Sequence, residues 1–108
     1  MEYTPQEYID IATSYFPDAF IELGKHCVDS NEKHNPGEPV RWAKEKSNDH
    51  WGSWGRHMSA LGTIDPESGK LHDVSWAWRT LAINQTRCDK VEELEELDLN
   101  KKPRGFQG

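Results

Sequence analysis

The chain has 108 residues and a formal net charge of −6, so we expect a single domain over residues 1–100 and a flexible tail over 101–108. The acidic balance excludes a general duplex-DNA binder, because such a protein carries a basic stripe. No apolar run approaches the length of a membrane span and the polar start has no signal-peptide core, which predicts a cytoplasmic protein whose two cysteines are free thiols.

The first predicted helix begins after Thr4, because this threonine, Pro5 and Glu7 form the pattern of a capping box with proline in the first turn. Pro17 should end it near Phe16. A second helix is predicted from about residue 18 to about residue 30. Its apolar residues recur at helical spacing: Ala19, Phe20, Leu23, Cys27 and Val28.

The second half of the chain predicts two further main helices. The loop "NEKHNPGEP" precedes a short helix in "VRWAKEKSND", and a third main helix is predicted over His50–Leu61. The loop "GTIDPESGK" leads to a last helix from Leu71 to about Cys88. The segment "DKVEELEELDL" either extends this helix or packs across a neighbouring element. Since no segment predicts a strand, the fold class is all-α, a compact helical hairpin or bundle of about four helices.

The composition combines a thin core with many large aromatic residues. Only 34% of the residues are hydrophobic, yet the chain holds five Trp, three Tyr and three Phe. A domain of this size buries only part of its surface, so aromatic side chains in such number favour burial between subunits. We therefore expect a homo-oligomer.

Two charged pairs flank the acidic loop and form the first candidate site. Arg56 and His57 end the third predicted helix, and His72 and Asp73 open the last one. The two helices must turn back on each other through the loop, which would bring all four residues to one mouth. A guanidinium gives a forked, charge-assisted contact to phosphate, so Arg56 and His57 are candidate phosphate ligands.

The carboxylates of the same loop are candidate metal ligands. Asp65, Glu67 and Asp73 provide the oxygen atoms that Mg²⁺ prefers. The alternative is structural: Asp65 and Ser68 cap a turn, and His72 with Asp73 simply begins a helix.

A second candidate metal face lies on the second predicted helix. Glu22 and His26 have the i, i+4 spacing that places two side chains on one helix face, and Asp29 extends this face. The alternative is an ordinary solvated helix flank.

The tryptophans suggest how an aromatic ligand could be held. Trp76 shares a predicted helix face with His72 and Arg79, and an indole beside an arginine can sandwich a nucleobase while the cation meets its phosphate. The alternative for Trp76, and equally for Trp42, is packing in the core or between subunits. Core packing is the preferred interpretation for Trp51, Trp54 and Trp78.

The run "GRHMSALGTIDPESGKLHDVSWAWRTLAI" resembles small phage proteins of the dATP/dGTP diphosphohydrolase N-terminal domain family. These proteins carry an Arg-His pair on one helix, a D-x-E-S-G loop and a His that opens an apolar helix. The matching residues are Arg56, His57, Asp65, Glu67, Ser68, Gly69 and His72. Upstream, "AFIELGKH" is similar to the helix that carries a family glutamate, with Glu22 in its place. The resemblance covers about the middle two-thirds of the chain.

This resemblance implies an oligomeric all-α protein that binds purine nucleotides, with Mg²⁺ if it is catalytic, in the host cytoplasm if it is phage-encoded. MazG-like pyrophosphatases hold their metals with a Glu-x-x-Glu pair, whereas Glu22 is followed three residues later by Lys25. The metal-binding carboxylate set is therefore incomplete. Two functions stay open, beside a purely structural helical subunit that binds no ligand. One is a nucleoside triphosphate diphosphohydrolase, and the other is a non-catalytic protein that sequesters a nucleotide or cyclic nucleotide signal of host anti-phage defence.

Each hypothesis uses its own residues. Hydrolysis would use Glu22, Asp65 and Glu67 as catalytic carboxylates. The metal would be held within the set Glu22, His26, Asp65, Glu67 and Asp73. Both functions would bind the nucleotide through Arg56, His57, Ser68, Gly69, His72, Trp76 and Arg79.

Overall fold

A computed structural model describes residues 2–44 and 49–97. It contains four helices: α1 (Pro5–Tyr15), α2 (Pro17–His34), α3 (His50–Met58) and α4 (His72–Leu97). Within the described ranges there is no strand, only an isolated bridge between Ile64 and Leu71. The predicted all-α class with four helices is confirmed, whereas the predicted tail 101–108 lies outside the described residues.

The start of the chain folds as its local signals predict. Thr4 caps α1 with its hydroxyl, which accepts from the backbone N–H of Glu7, and the Glu7 carboxylate accepts from the backbone N–H of Thr4. Pro17 begins α2 directly after the break at Phe16. No residue of α1 is buried, so the capping box and α2 are its main supports.

The α3–α4 pair is the centre of the domain. Trp54 on α3 donates its indole N–H to the hydroxyl of Thr80 on α4 at 3.0 Å, and its ring lies 5.9 Å from that of Trp76. Small residues let the two helices approach, since Ser53 and Ser75 are both buried. Among the described residues, the buried apolar side chains are only Ala82 and Ile83, which confirms that the core is thin.

Several element ends differ from the predicted ones. Helix α2 continues past Ser30 to His34. Helix α4 continues through the acidic segment to Leu97, which is the first of the two predicted alternatives, because Glu, Lys and Leu are good helix formers. Helix α3 ends at Met58, three residues before the predicted end, where the chain enters the turns that lead to Gly62. The predicted short helix is absent from 40–43, and residues 45–48 lie outside the described part.

Helix α2 packs against α4 and completes one wall of a cleft. Both cysteines are free, as predicted; Cys27 on α2 is half-buried and Cys88 on α4 is exposed. None of the described helices combines the length and the apolar character that a membrane span requires.

Candidate functional site

An open cleft of about 1130 Å³ lies between α2, α3, α4 and the loop that joins α3 to α4. Arg56 and His57 at the end of α3, and His72 at the start of α4, line the same cleft. The predicted convergence of these residues at one mouth is therefore confirmed for three of the four. The fourth, Asp73, holds the loop instead: its carboxylate accepts from the backbone N–H of Gly62 at 2.8 Å.

The acidic loop is closed on itself by hydrogen bonds around Asp65. The backbone N–H of Asp65 donates to the carbonyl of Lys70 at 2.7 Å, and its own carbonyl accepts from the N–H of Gly69 at 2.8 Å. One carboxylate oxygen accepts from the N–H of Glu67 at 2.9 Å. Asp65 is buried by this arrangement, which fixes the direction of its carboxylate. The predicted turn-capping role of Asp65 is thus observed, and it leaves the other carboxylate oxygen available.

That other oxygen faces a pair of histidines. The Nδ1 atoms of His57 and His72 lie 2.9 Å apart, and Asp65 Oδ2 lies 3.9 Å from Nδ1 of His72. The side chains of His72 and Asp65 are only 18% and 12% exposed. Across the described part of the chain, these three residues are the only set of three acidic, histidine or cysteine residues whose ligand atoms all lie within 4.8 Å of one another.

The cleft is positively charged although the chain is acidic. Its lining includes five lysine and arginine side chains, namely Lys33, Arg41, Arg56, Lys70 and Arg79, but only three carboxylates. Two of these carboxylates form ion pairs within the lining, Asp29 with Lys70 at 2.6 Å and Glu67 with Lys33. The lining therefore keeps a positive balance in a chain whose net charge is −6, which favours an anionic ligand.

Two histidines of the cleft, His57 and His26, have a pKa below the ordinary value because they are partly buried. Burial lowers the pKa of His57, and the nearby His72 lowers it further. Burial also lowers the pKa of His26, with Lys70 as the next cause. Imidazoles of lowered pKa are neutral near pH 7 and can accept a hydrogen bond or bind a metal through a ring nitrogen.

The remaining predicted metal ligands do not converge. Glu22 is paired with Lys25 at 3.3 Å and does not line the cleft. Glu67 is held by Lys33, and Asp73 by the loop backbone. Of the predicted set of Glu22, His26, Asp65, Glu67 and Asp73, three residues line the cleft, namely His26, Asp65 and Glu67. Only Asp65 of this set belongs to the group of close ligand atoms found among the described residues, and that group contains one carboxylate, whereas Mg²⁺ prefers several oxygen ligands.

The predicted phosphate ligands fall into two groups. Ser68 and Arg79 line the cleft together with Arg56. Gly69 does not line it and serves the loop, where its φ of +74° is one that L side chains rarely adopt. Arg79 also lies 2.9 Å from His50 and stands 5.1 Å from the ring centre of Trp78.

Of the two tryptophans considered equally as ligand contacts, Trp42 lines the cleft and Trp76 does not. Trp76 packs on Trp54 in the α3–α4 contact and does not line the cleft. Trp78, for which core packing was preferred, lines it together with Trp42, and their ring centres are 5.7 Å apart. Helical periodicity places Trp76 and Trp78 on different faces of α4, but the sequence does not tell which of these faces lines the cleft.

Comparison with known proteins adds no relative: no protein-family model matches the chain, and neither a curated protein nor a solved structure shows significant similarity to it.

Proposed function

We propose that the protein binds a phosphorylated purine compound, a nucleotide or cyclic nucleotide, in the cleft between α2, α3 and α4. The observation that carries this proposal is the positive lining of the cleft in a chain of net charge −6, with two indoles among the same lining residues. Cations select the phosphate, and flat aromatic or guanidinium faces select the base.

Two arginines of the cleft, Arg56 and Arg79, differ in their suitability for the two parts of the ligand. Arg56 is 68% exposed, and its nearest carboxylate, Asp49, lies 3.5 Å away at the protein surface. Such an exposed pair is weak, so Arg56 can exchange it for a phosphate at small cost. Arg79 is more buried and stands over Trp78, which suits it to contact the base.

The positions of the carboxylates favour sequestration of the ligand over hydrolysis with Mg²⁺. Phosphoryl hydrolysis on two metals needs several converging carboxylates, and Glu22, Glu67 and Asp73 each have another partner. A sequestering protein lowers the free concentration of the nucleotide that it binds. In this way it would weaken a nucleotide signal of host defence.

Calorimetric titration with purine nucleotides, dinucleotides and cyclic dinucleotides tests the proposal. We expect saturable binding of at least one of them, weakened roughly tenfold or more by Arg56→Gln, because a charge-assisted contact to phosphate contributes about 1.5–3 kcal/mol. Arg87→Gln is the matched control, since Arg87 stands over Trp51 outside the cleft. Absence of binding across the panel would refute the proposal.

The same sample distinguishes sequestration from hydrolysis. After incubation with the bound nucleotide and Mg²⁺, a sequestering protein returns the ligand intact on heat denaturation. New phosphate or pyrophosphate in the supernatant would instead establish hydrolysis, and Glu22→Gln would then test the catalytic role assigned to Glu22.

We further propose that copies of the chain associate. Sixteen large hydrophobic residues are exposed in the described part of the chain, among them Trp51, Phe16 and Tyr15. Scattered apolar residues are ordinary on a protein surface, but so many on a domain with two buried apolar side chains support a self-associating protein.

A further inference from the structure

We propose that His57, Asp65 and His72 bind a divalent first-row transition-metal ion at the base of the cleft, with open coordination positions on the cleft side. The ion does not require the proposed nucleotide. The two proposals are linked at one point, because a phosphate oxygen of the proposed nucleotide could occupy an open coordination position of the ion.

The distance between the two histidines fits a shared ion. Nitrogen atoms about 2.1 Å from one ion and 2.9 Å from each other subtend an angle of about 90° at the ion. That is the angle between neighbouring positions of an octahedron. The carboxylate of Asp65, with its oxygen 3.9 Å from His72 Nδ1, completes one face after a small inward shift.

Each of the three ligands has its own support in the backbone. His57 lies in the last turn of α3, and His72 opens α4 with its backbone N–H donating to the carbonyl of Thr63 at 2.9 Å. Asp65 is fixed by its contacts with Glu67, Gly69 and Lys70. Support of this kind orients ligands before the ion arrives and strengthens a metal site.

The donor set selects the class of ion. Two imidazoles and one carboxylate with open positions are typical of Fe²⁺, and they also suit Mn²⁺, Co²⁺ and Zn²⁺. Mg²⁺ prefers oxygen ligands only, so it should compete poorly for the same residues. The cleft offers a competing soft ligand in the thiol of Cys27, which lines it but is not one of the three.

Without an ion, the two histidines have a simpler arrangement. One imidazole can donate its Nδ1–H to the Nδ1 of the other, which gives the same 2.9 Å separation. With an ion bound, both Nδ1 atoms are unprotonated and direct their lone pairs at the ion, whereas the hydrogen-bonded pair needs a proton on one of them.

The test uses the whole chain, stripped of metal with a chelator and titrated with Co²⁺, Mn²⁺, Zn²⁺ and Mg²⁺ alone. We expect one Co²⁺ per chain with visible d–d absorption and no thiolate charge-transfer band, and much weaker binding of Mg²⁺. His57→Gln, His72→Gln and Asp65→Asn should each weaken Co²⁺ binding roughly 100-fold or more, since even loss of a supporting contact costs 10–100-fold. His34→Gln is the matched control, because it lines the cleft outside the three residues.

The wild-type protein alone can overturn the proposal, so it does not depend on the folding of any variant. If Co²⁺, Mn²⁺ and Zn²⁺ do not bind, His57 and His72 form only a hydrogen-bonded pair and the proposal is wrong. The same conclusion follows if the metal still binds to His72→Gln but no longer binds to Cys27→Ser. Nucleotide titrations in excess chelator separate this outcome from the proposed function. Nucleotide binding without metal binding would reject only the ion, and metal binding without nucleotide binding would reject only the nucleotide.

Discussion

Nδ1 of His57 and Nδ1 of His72 lie 2.9 Å apart, although fourteen residues including a proline and two glycines separate them in the sequence. The contact joins the end of α3 to the start of α4 across the mouth of the acidic loop. The loop, the two helices and the positive cleft therefore form one structural unit. A substitution that destabilises the loop should also displace the residues of the site.

The contact between Asp73 and Gly62 should therefore stabilise both the loop and the site. Asp73→Ala removes the acceptor for the backbone N–H of Gly62 and an acidic group from the first turn of α4. We expect a loss of about 1 kcal/mol in the free energy of unfolding, measured by urea denaturation. Asp89→Ala, which removes exposed side-chain contacts with Lys44 and Gln85, should cost less than half as much. Equal effects of the two variants would contradict this role of Asp73.

Two glycines should respond in opposite directions to the same substitution. Gly24 lies inside α2 with no atom within 4 Å of an added Cβ, so Gly24→Ala should stabilise the protein by about 0.5–1 kcal/mol. Gly62 has the same free space but a φ of +81°, so Gly62→Ala should destabilise it by about 1 kcal/mol. Thermal unfolding of both variants checks this. Stabilisation by both substitutions would show that the loop is not held in the left-handed conformation.

Acid should destabilise the fold through His26. Burial and the charge of Lys70 lower the pKa of this histidine below its ordinary value of 6.5 in the folded protein. The unfolded chain therefore takes up a proton at higher pH than the folded one does. The stability from neutral His26 is complete above about pH 6.5 and decreases as the pH falls toward the lowered pKa.

Urea midpoints measured over this pH range test the effect. His26→Asn should reduce the loss of stability on acidification, because asparagine does not titrate. His34→Asn is the control at the exposed end of α2. Parallel pH profiles for the wild type and His26→Asn would contradict the assignment to His26, whatever the net effect of the other charges.

Self-association should be visible in the molar mass of the native protein. Light scattering during size-exclusion chromatography should give a mass of at least two chains of 12.5 kDa each. Trp51→Lys places a charge at a 58% exposed indole and should shift the mass toward a single chain if α3 contributes to the interface. A mass of one chain at all concentrations would rule out the oligomer.

The sequence predicted those parts of the structure that depend on local signals. The capping box at Thr4, the break at Pro17 and the turn residues of the acidic loop act within a few residues, so their positions could be read directly. The convergence of His57 and His72 at one mouth was also predicted, because the loop between α3 and α4 has to turn the two helices back on each other.

The tertiary part of the site could not be predicted in the same way. Whether Trp76 or Trp78 reaches the cleft depends on where α2 packs along α4, and no local pattern encodes this position. The partners of Glu22 and Glu67 are lysines whose long side chains adapt to the final fold. A carboxylate in the sequence is therefore a weak guide to a metal site until its ion pairs are known.

The most direct test of the proposed cleft is a nucleotide titration followed through the five tryptophan indole N–H signals in a ¹H–¹⁵N NMR spectrum. We expect a binding nucleotide to shift the signals of Trp42 and Trp78, which line the cleft, and to leave that of Trp51 unchanged. Shifts confined to Trp51 and Trp76, or no shift with any nucleotide of the panel, would contradict this expectation.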